Sequence, residues 1–249
     1  MRVALVTGAG TGIGAAAART LAEHGCAVAL VGRREEKLRE AAVGLEHALV
    51  LPADLEDPAV PGALVEQTLA RFDRLDVLVN NAAVIRNGPF EDFTLEEFDR
   101  HVAVNLRAPF LLTQAALPAL RRGEAPAVVN VSSSVGSIVK PGTTLYSITK
   151  AGLEYLTRAN AYELAQWGIR VNAIAPGPVD TPIHATYLDD LEAGYRDLAR
   201  RIPLGRMGEP VDVAAWIWWL SSPDTAWTTG NVVHVDGGQV LGIPEAAGG

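Results

Sequence analysis

Seven short runs of β-branched and aliphatic residues recur along this chain, and alanine- and leucine-rich segments separate most of them. The runs are RVALVT (2–7), AVALV (27–31), ALVL (48–51), VLVN (77–80), AVVNVS (127–132), RVNAIA (170–175) and VVHV (232–235). Helix-like segments fill 12–24, 34–43, 59–71, 94–121, 145–167 and 210–220. A half-buried strand alternates apolar with polar residues, whereas near-continuous apolar runs suit a sheet covered on both faces. Strand–helix alternation implies parallel pairing, and right-handed crossovers then place helices on both sides. The predicted fold class is α/β, a doubly wound parallel sheet of about seven strands.

No low-complexity linker or short repeat divides the chain, so a single domain over 1–249 is expected. Pro and Gly cluster at 86–89, 141–142, 176–178 and 203–210, marking loops. Most follow strands, on the side where open α/β sheets bind ligands. The stretch 182–209 breaks the rhythm, with a helix-like middle from Tyr187 to Arg201, and is expected to be a substrate lid. The tail, GIPEAAGG, is expected to be loosely ordered.

Lys plus Arg total 21 against 29 Asp plus Glu, a net charge of -8. Such a chain is a poor partner for nucleic acid or an anionic membrane, although a local basic spot can still hold a phosphorylated small molecule. No apolar run approaches the ~20 residues of a membrane helix; AAWIWWL at 214–220 is too short. The start, MRVALVTG, runs straight into a glycine turn and does not read as a signal peptide. Cys26 is the only cysteine, lies in the apolar CAVALV, and reads as a buried core thiol. A cytoplasmic location is expected. The five histidines (24, 47, 101, 184, 234) are scattered without ligand spacing, so no metal site is expected.

The first strand ends in TGAGTGIG at 7–14, and an alanine-rich helix follows. Glycines let backbone approach a ligand, and free amides at a helix start attract phosphate. Gly8, Gly12 and Gly14 depart from the G-x-G-x-x-G spacing, while Gly10, Gly12 and Ala15 fit its looser form. This turn points to a dinucleotide and to a Rossmann-type sheet. After the second strand a carboxylate would hold a ribose 2′-hydroxyl, whereas an arginine would accommodate a 2′-phosphate. Here Gly32 is followed by Arg33 and Arg34, which favours NADP(H) over NAD(H). The plainer alternative is that both arginines open a solvated helix with Glu35 and Glu36.

Tyr146 and Lys150 stand at i and i+4, on one face of a helix. The chain has three lysines, Lys37, Lys140 and Lys150, and only Tyr146 among five tyrosines has a lysine at i+4. A phenol with an ordinary pKa of ~10 is a sluggish acid–base group at neutral pH. A nearby ammonium stabilises its phenolate, and a serine hydroxyl beside it can hold a substrate carbonyl or alkoxide. The phenol could then give a proton to oxygen while a nicotinamide delivers hydride to carbon, or the reverse.

Taken together, these pieces resemble the short-chain dehydrogenase/reductase family. The resemblance runs from TGAGTGIG at 7–14 through NNAA at 80–83, VNL at 104–106, NVSS at 130–133, YSITK at 146–150 and APGPVDTP at 175–182, to VDGG at 235–238. It implies Tyr146 as the acid–base residue, Lys150 as the group that lowers its pKa and holds the nicotinamide ribose, and Ser133 as the catalytic serine. Ser132 and Ser134 would then point elsewhere. It implies Asn105 as the asparagine that keeps a helix distorted and holds a water for proton relay. For the cofactor it implies Asp54 and Leu55 after the third strand, Asn80, which ties the central strands together near the cofactor, and Ala82 after the fourth, and Pro176, Gly177, Val179 and Thr181 after the sixth. Thr11 and Ile13 join Gly8, Gly10, Gly12 and Gly14 in the glycine loop. The chain departs from the family in two places. Ala83 stands where a glycine is usual, and Thr11 where NADP-preferring members often carry a basic residue. The resemblance also implies a homo-oligomer, a tetramer or else a dimer, paired through the helices at 94–121 and 145–167.

The expected activity is hydride transfer between a nicotinamide cofactor and a small carbonyl or secondary alcohol. Its alternatives are an NAD(H)-dependent alcohol dehydrogenase and a catalytically silent nucleotide sensor. Ser132 to Ser134 could suggest a hydrolase, but no G-x-S-x-G elbow exists. Glu91, Asp92, Glu96 and Glu97 fit a solvated helix start. Trp216, Trp218 and Trp219 suit either core or a subunit interface. Val84, Ile85, Val135, Ile183, His184, Tyr187, Leu188, Leu191 and Tyr195 are candidates to line the substrate pocket; Arg86 could pair an acidic substrate, but a solvated arginine is the plainer reading.

Overall fold

A computed structural model describes residues 1–186 and 190–242. Seven strands form one sheet: β1 (Val3–Thr7), β2 (Ala27–Gly32), β3 (Ala48–Pro52), β4 (Val77–Asn80), β5 (Ala127–Val131), β6 (Arg170–Pro176) and β7 (Val232–Val235). Their order is β3-β2-β1-β4-β5-β6-β7, and every pairing is parallel. Alternate residues of each inner strand serve opposite faces, as the pleat requires. Val3, Leu5, Leu78 and Val128 pack with Leu64, Leu112 and Leu120 on one side. Ala4, Val6, Val77, Val79 and Val129 pack with Ala17, Leu21, Val213 and Ile217 on the other. Cys26 belongs to this second layer, and burial raises its thiol pKa.

The helices are α1 (Gly12–Glu23), α2 (Glu35–Ala42), α3 (Val60–Phe72), α4 (Leu95–Val102), α5 (Ala108–Leu120), α6 (Thr144–Leu164), α7 (Leu191–Arg200) and α8 (Pro210–Ser221). From β1 the chain winds outward to β2 and β3, then returns to β4 on the other flank of β1. That reversal opens a crevice at the C-terminal ends of β1 and β4.

The segment predicted as one helix over 94–121 is interrupted. Between α4 and α5 lies a five-residue π-helical turn, Ala103–Arg107, in which the Ala108 amide reaches the Ala103 carbonyl. Pro109 has no amide hydrogen to give the Asn105 carbonyl four residues back, so a regular α-helical ladder cannot close there. The acidic cluster behaves as a helix start: Thr94 and Glu97 form a reciprocal cap, and Glu97 pairs with Arg86. Trp218 stacks on His24 with 4.1 Å between ring centres, while Trp216 and Trp219 are exposed.

Within 182–209, a short 3₁₀ turn (Pro182–Thr186) precedes α7, which starts at Leu191 rather than Tyr187. The Tyr195 hydroxyl donates to Asp180 Oδ1 at 2.8 Å, tying α7 to the segment after β6. Tyr187 and Leu188, and the tail beyond Gly242, lie outside the described residues.

Candidate active site

A cleft of about 620 Å³ lies where the strands end. It is lined by Gly8, Gly10, Thr11, Gly12 and Ile13 after β1, Arg33 and Arg34 after β2, and Asp54 and Leu55 after β3. Ala82, Ala83, Val84 and Ile85 follow from β4, Ser133 from β5, Tyr146 and Lys150 from α6, and Pro176, Gly177, Val179 and Thr181 from the β6 loop.

At Gly8 the backbone has φ +65°, and a Cβ there would sit 2.8 Å from Asn81 Nδ2. Only glycine meets both demands. No side chain caps α1, so its first amides face the cleft uncapped. Such a helix start suits a phosphate. Gly14 is not part of the cleft wall; a Cβ there would collide with the Gly8 carbonyl and Asn81. Asn80 and Asn105 also stand behind the lining. Asn80 Nδ2 donates to Asn130 Oδ1 at 2.8 Å, bracing β4 against β5.

Asn81 is the residue that the sequence reading missed. Its Nδ2 donates to the Thr7 carbonyl at 2.8 Å and reaches the Gly8 carbonyl at 3.3 Å. The backbone amides of Asn81 and Ala82 both donate to Thr7 Oγ1, at 2.9 and 3.0 Å. This cluster locks the glycine loop to the end of β4. Neither Thr7 nor Asn81 carries a spacing signal, so only the sheet order brings them together.

At the outer end of β2, Arg33 and Arg34 are exposed and pair with no carboxylate among the described residues. Lys37 and Arg100 also line the cleft, but they are engaged by Glu40 and Glu56, each at 2.7 Å.

Tyr146 and Lys150 lie in the first two turns of α6. Lys150 Nζ is 5.5 Å from the Tyr146 ring centre and donates to the Val131 carbonyl at 2.7 Å. Lys150 is only 1% exposed. Burial disfavours its ammonium and lowers its pKa to about 7, with Glu154 pulling the other way. All three serines border the cleft, but their hydroxyls go to three places. Ser133 lines the cleft in extended backbone and accepts from the Val135 amide at 3.4 Å. The Ser132 hydroxyl turns back to Glu154 Oε1 at 2.9 Å, and Ser134 donates to Gln239 Oε1 at 2.7 Å.

Asn105 works from behind. Its Oδ1 accepts from the Val84 amide and its Nδ2 donates to the Val84 carbonyl, both at 2.9 Å. The same Nδ2 reaches Thr149 Oγ1 at 3.1 Å, and Thr149 donates to the Tyr146 carbonyl at 2.8 Å. One buried amide therefore couples the loop after β4 to the turn carrying Tyr146.

Of the predicted pocket residues, Val84, Ile85, Val135, Ile183 and His184 line the cleft. Leu191 and Tyr195 do not; Leu198, one helical turn beyond Tyr195, takes their place. Tyr195 faces Asp180, and burial together with that carboxylate raises its pKa to about 12. Arg86 is bound to Glu97 and is not part of the lining. Among the described residues no group of three or more His, Cys, Asp or Glu could hold a metal ion.

Fold and cleft together define a doubly wound α/β protein with a glycine-rich loop at an uncapped helix start and a tyrosine–lysine pair. The family described as enoyl-(acyl carrier protein) reductase matches residues 8–239. The oxidoreductase UcpA of Escherichia coli O157:H7 is 37% identical over 249 residues, covering 96% of this chain and 95% of that protein. The 3-oxoacyl-[acyl-carrier-protein] reductase FabG of Thermotoga maritima is 37% identical over 96% of this chain and 98% of its own length. The crystal structure of 3-ketoacyl-(acyl-carrier-protein) reductase from Brucella melitensis complexed with NADH superposes with a TM-score of 0.90. It is 34% identical, over 96% of this chain and 98% of that one. The chain belongs to the short-chain dehydrogenase/reductase family, and it is an oxidoreductase.

Proposed function

We propose that this protein is a carbonyl reductase or alcohol dehydrogenase that prefers NADP(H), with Tyr146 as its acid–base residue. The observation that carries the reading is the buried Lys150 beside the Tyr146 ring, in the same cleft as an uncapped helix start. The residues present fit a dinucleotide. Gly8 leaves room where a side chain would block the approach, and α1 offers free amides to a pyrophosphate. Asp54 and Leu55 would border the adenine, while Pro176, Gly177, Val179 and Thr181 would border the nicotinamide. The unpaired Arg33 supports a 2′-phosphate. When bound, the nicotinamide supplies or accepts the hydride.

Ser133 holds the substrate oxygen by hydrogen bond, and Tyr146 gives it a proton in reduction or takes one in oxidation. Lys150, with its pKa near neutrality, stabilises the phenolate and hands on a proton. The Asn105 carbonyl, which Pro109 cannot satisfy, is suited to hold a water at the rear of this relay. Residues 182–209 act as the substrate lid in the single 1–249 domain.

Phe98, Phe110, Tyr155 and Tyr162 are exposed on α4, α5 and α6, which supports assembly into a tetramer or a dimer through those helices. No described helix is long and apolar enough to cross a membrane. A cytoplasmic protein with one free thiol fits this reading.

NAD(H) use is a second reading, favoured by the NADH in the Brucella relative. A silent sensor is disfavoured, because it has no use for a desolvated lysine beside a phenol. The test is to follow reduced-nicotinamide absorbance with a panel of ketones and both cofactors. Consumption of NADPH in preference to NADH supports the reading, and no consumption with any ketone would sink it.

A further inference from the structure

We propose that the substrate carries an anionic oxygen group, a carboxylate or a phosphate, that pairs with Lys140 at the outer end of the cleft. The proposal rests on the carbonyl-reduction reading and deepens it. Lys140 sits in the loop between β5 and α6 and lines the cleft with Thr143, His184, Leu198 and Gln239. Its backbone carbonyl accepts from Thr143 Oγ1 at 2.8 Å, but its ammonium has no hydrogen bond or ion pair among the described residues. The other lysines of the wall differ: Lys37 is bound to Glu40, and Lys150 to the Val131 carbonyl.

Among the described residues, no carboxylate lines this end of the cleft. Asp54 and Glu56, the acidic residues of the lining, stand after β3 at the opposite end. The carboxylate that Lys140 senses is Asp197 on α7, and Arg201 holds it at 2.8 Å. Burial lowers the Lys140 pKa, and the Arg201 charge adds to the effect. A partly buried cation with no counter-charge is costly, and an anion entering the cleft would relieve that cost. Gln239 supplies a second donor on the same wall, because Ser134 occupies its Oε1 and leaves Nε2 to bond elsewhere. Arg86, weighed in sequence against a plain solvated role, is already committed to Glu97.

The experiment compares matched ketones with NADPH: 4-acetylbenzoate against its methyl ester, and dihydroxyacetone phosphate against dihydroxyacetone. The expected result is a preference for one or both anions of at least about tenfold in kcat/KM, as one charge-assisted bond supplies. Lys140→Gln should erase most of that preference and Lys140→Arg should keep it. Preference within only the first pair names a carboxylate, and within only the second a phosphate. Equal use of anion and neutral partner in both pairs, or a preference that survives Lys140→Gln, overturns the proposal. If no ketone is turned over, the reductase reading fails separately. Calorimetric titration of 4-acetylbenzoate and its ester into the protein with NADP⁺ then decides Lys140. Acid-selective binding lost in Lys140→Gln sustains the anion site, and equal binding overturns it.

Discussion

Lys150 places its ammonium nitrogen 5.5 Å from the centre of the Tyr146 ring and gives a hydrogen bond to the Val131 carbonyl, at the end of the neighbouring strand. The lysine is thus fixed from two sides, by its helix and by β5. Burial brings its pKa to about 7, which is where a proton reservoir for neutral-pH chemistry is useful.

That shift has a stability consequence with a definite sign. A free lysine titrates near 10.4, so between about pH 7 and 10 the unfolded chain binds more protons at this site than the folded one. Stability contributed by this site therefore rises with pH across that window, by at most about 1.4 kcal/mol per pH unit. Urea midpoints for wild type and Lys150→Met at pH 7, 8 and 9 check it. The wild type should gain relative to the variant at each step; a constant difference would contradict the buried, shifted lysine.

Removing the Asn105 side chain should cost stability as well as order. Asn105→Ala leaves the Val84 amide and carbonyl without their partners and frees Thr149 from one bond. Unsatisfied buried groups cost roughly 1–3 kcal/mol each, so thermal unfolding should shift down by several degrees. An unchanged Tm would mean that water or neighbours replace the amide at no cost.

Arg33→Ala should raise the KM for NADPH by about tenfold or more and reduce the preference for NADPH over NADH, as expected for one lost charge-assisted contact. Steady-state kinetics with both cofactors check this. Unchanged values would return Arg33 to the plainer role of opening α2 in solvent.

Much of the fold was legible because the inner strands are buried on both faces and therefore read as unbroken apolar runs. The break at Ala103–Arg107 was not visible in the apolar spacing; only the family resemblance anticipated a distortion at Asn105. The site was legible as motifs but not as a surface. The resemblance gave Asn80 a strand-tying role and Asn105 a helix-distorting one, and their bonds to Asn130 and Val84 fit that; that Gly14 stands outside the lining could not be read from its motif. Asn81 escaped notice because its partner, Thr7, is distant in sequence and meets it through the β1–β4 neighbourhood. On α7 the sequence could not set which helical face meets the cleft, so Leu191 and Tyr195 stood in for Leu198. That face is set by tertiary packing, which no local pattern encodes.

The most direct measurement is single-turnover reduction of a ketone substrate by Tyr146→Phe with NADPH already bound, monitored by nicotinamide absorbance. General acid–base groups contribute about 10²–10⁴ in rate, and the account predicts a loss of that size with cofactor affinity largely retained. Turnover at the wild-type rate would contradict it.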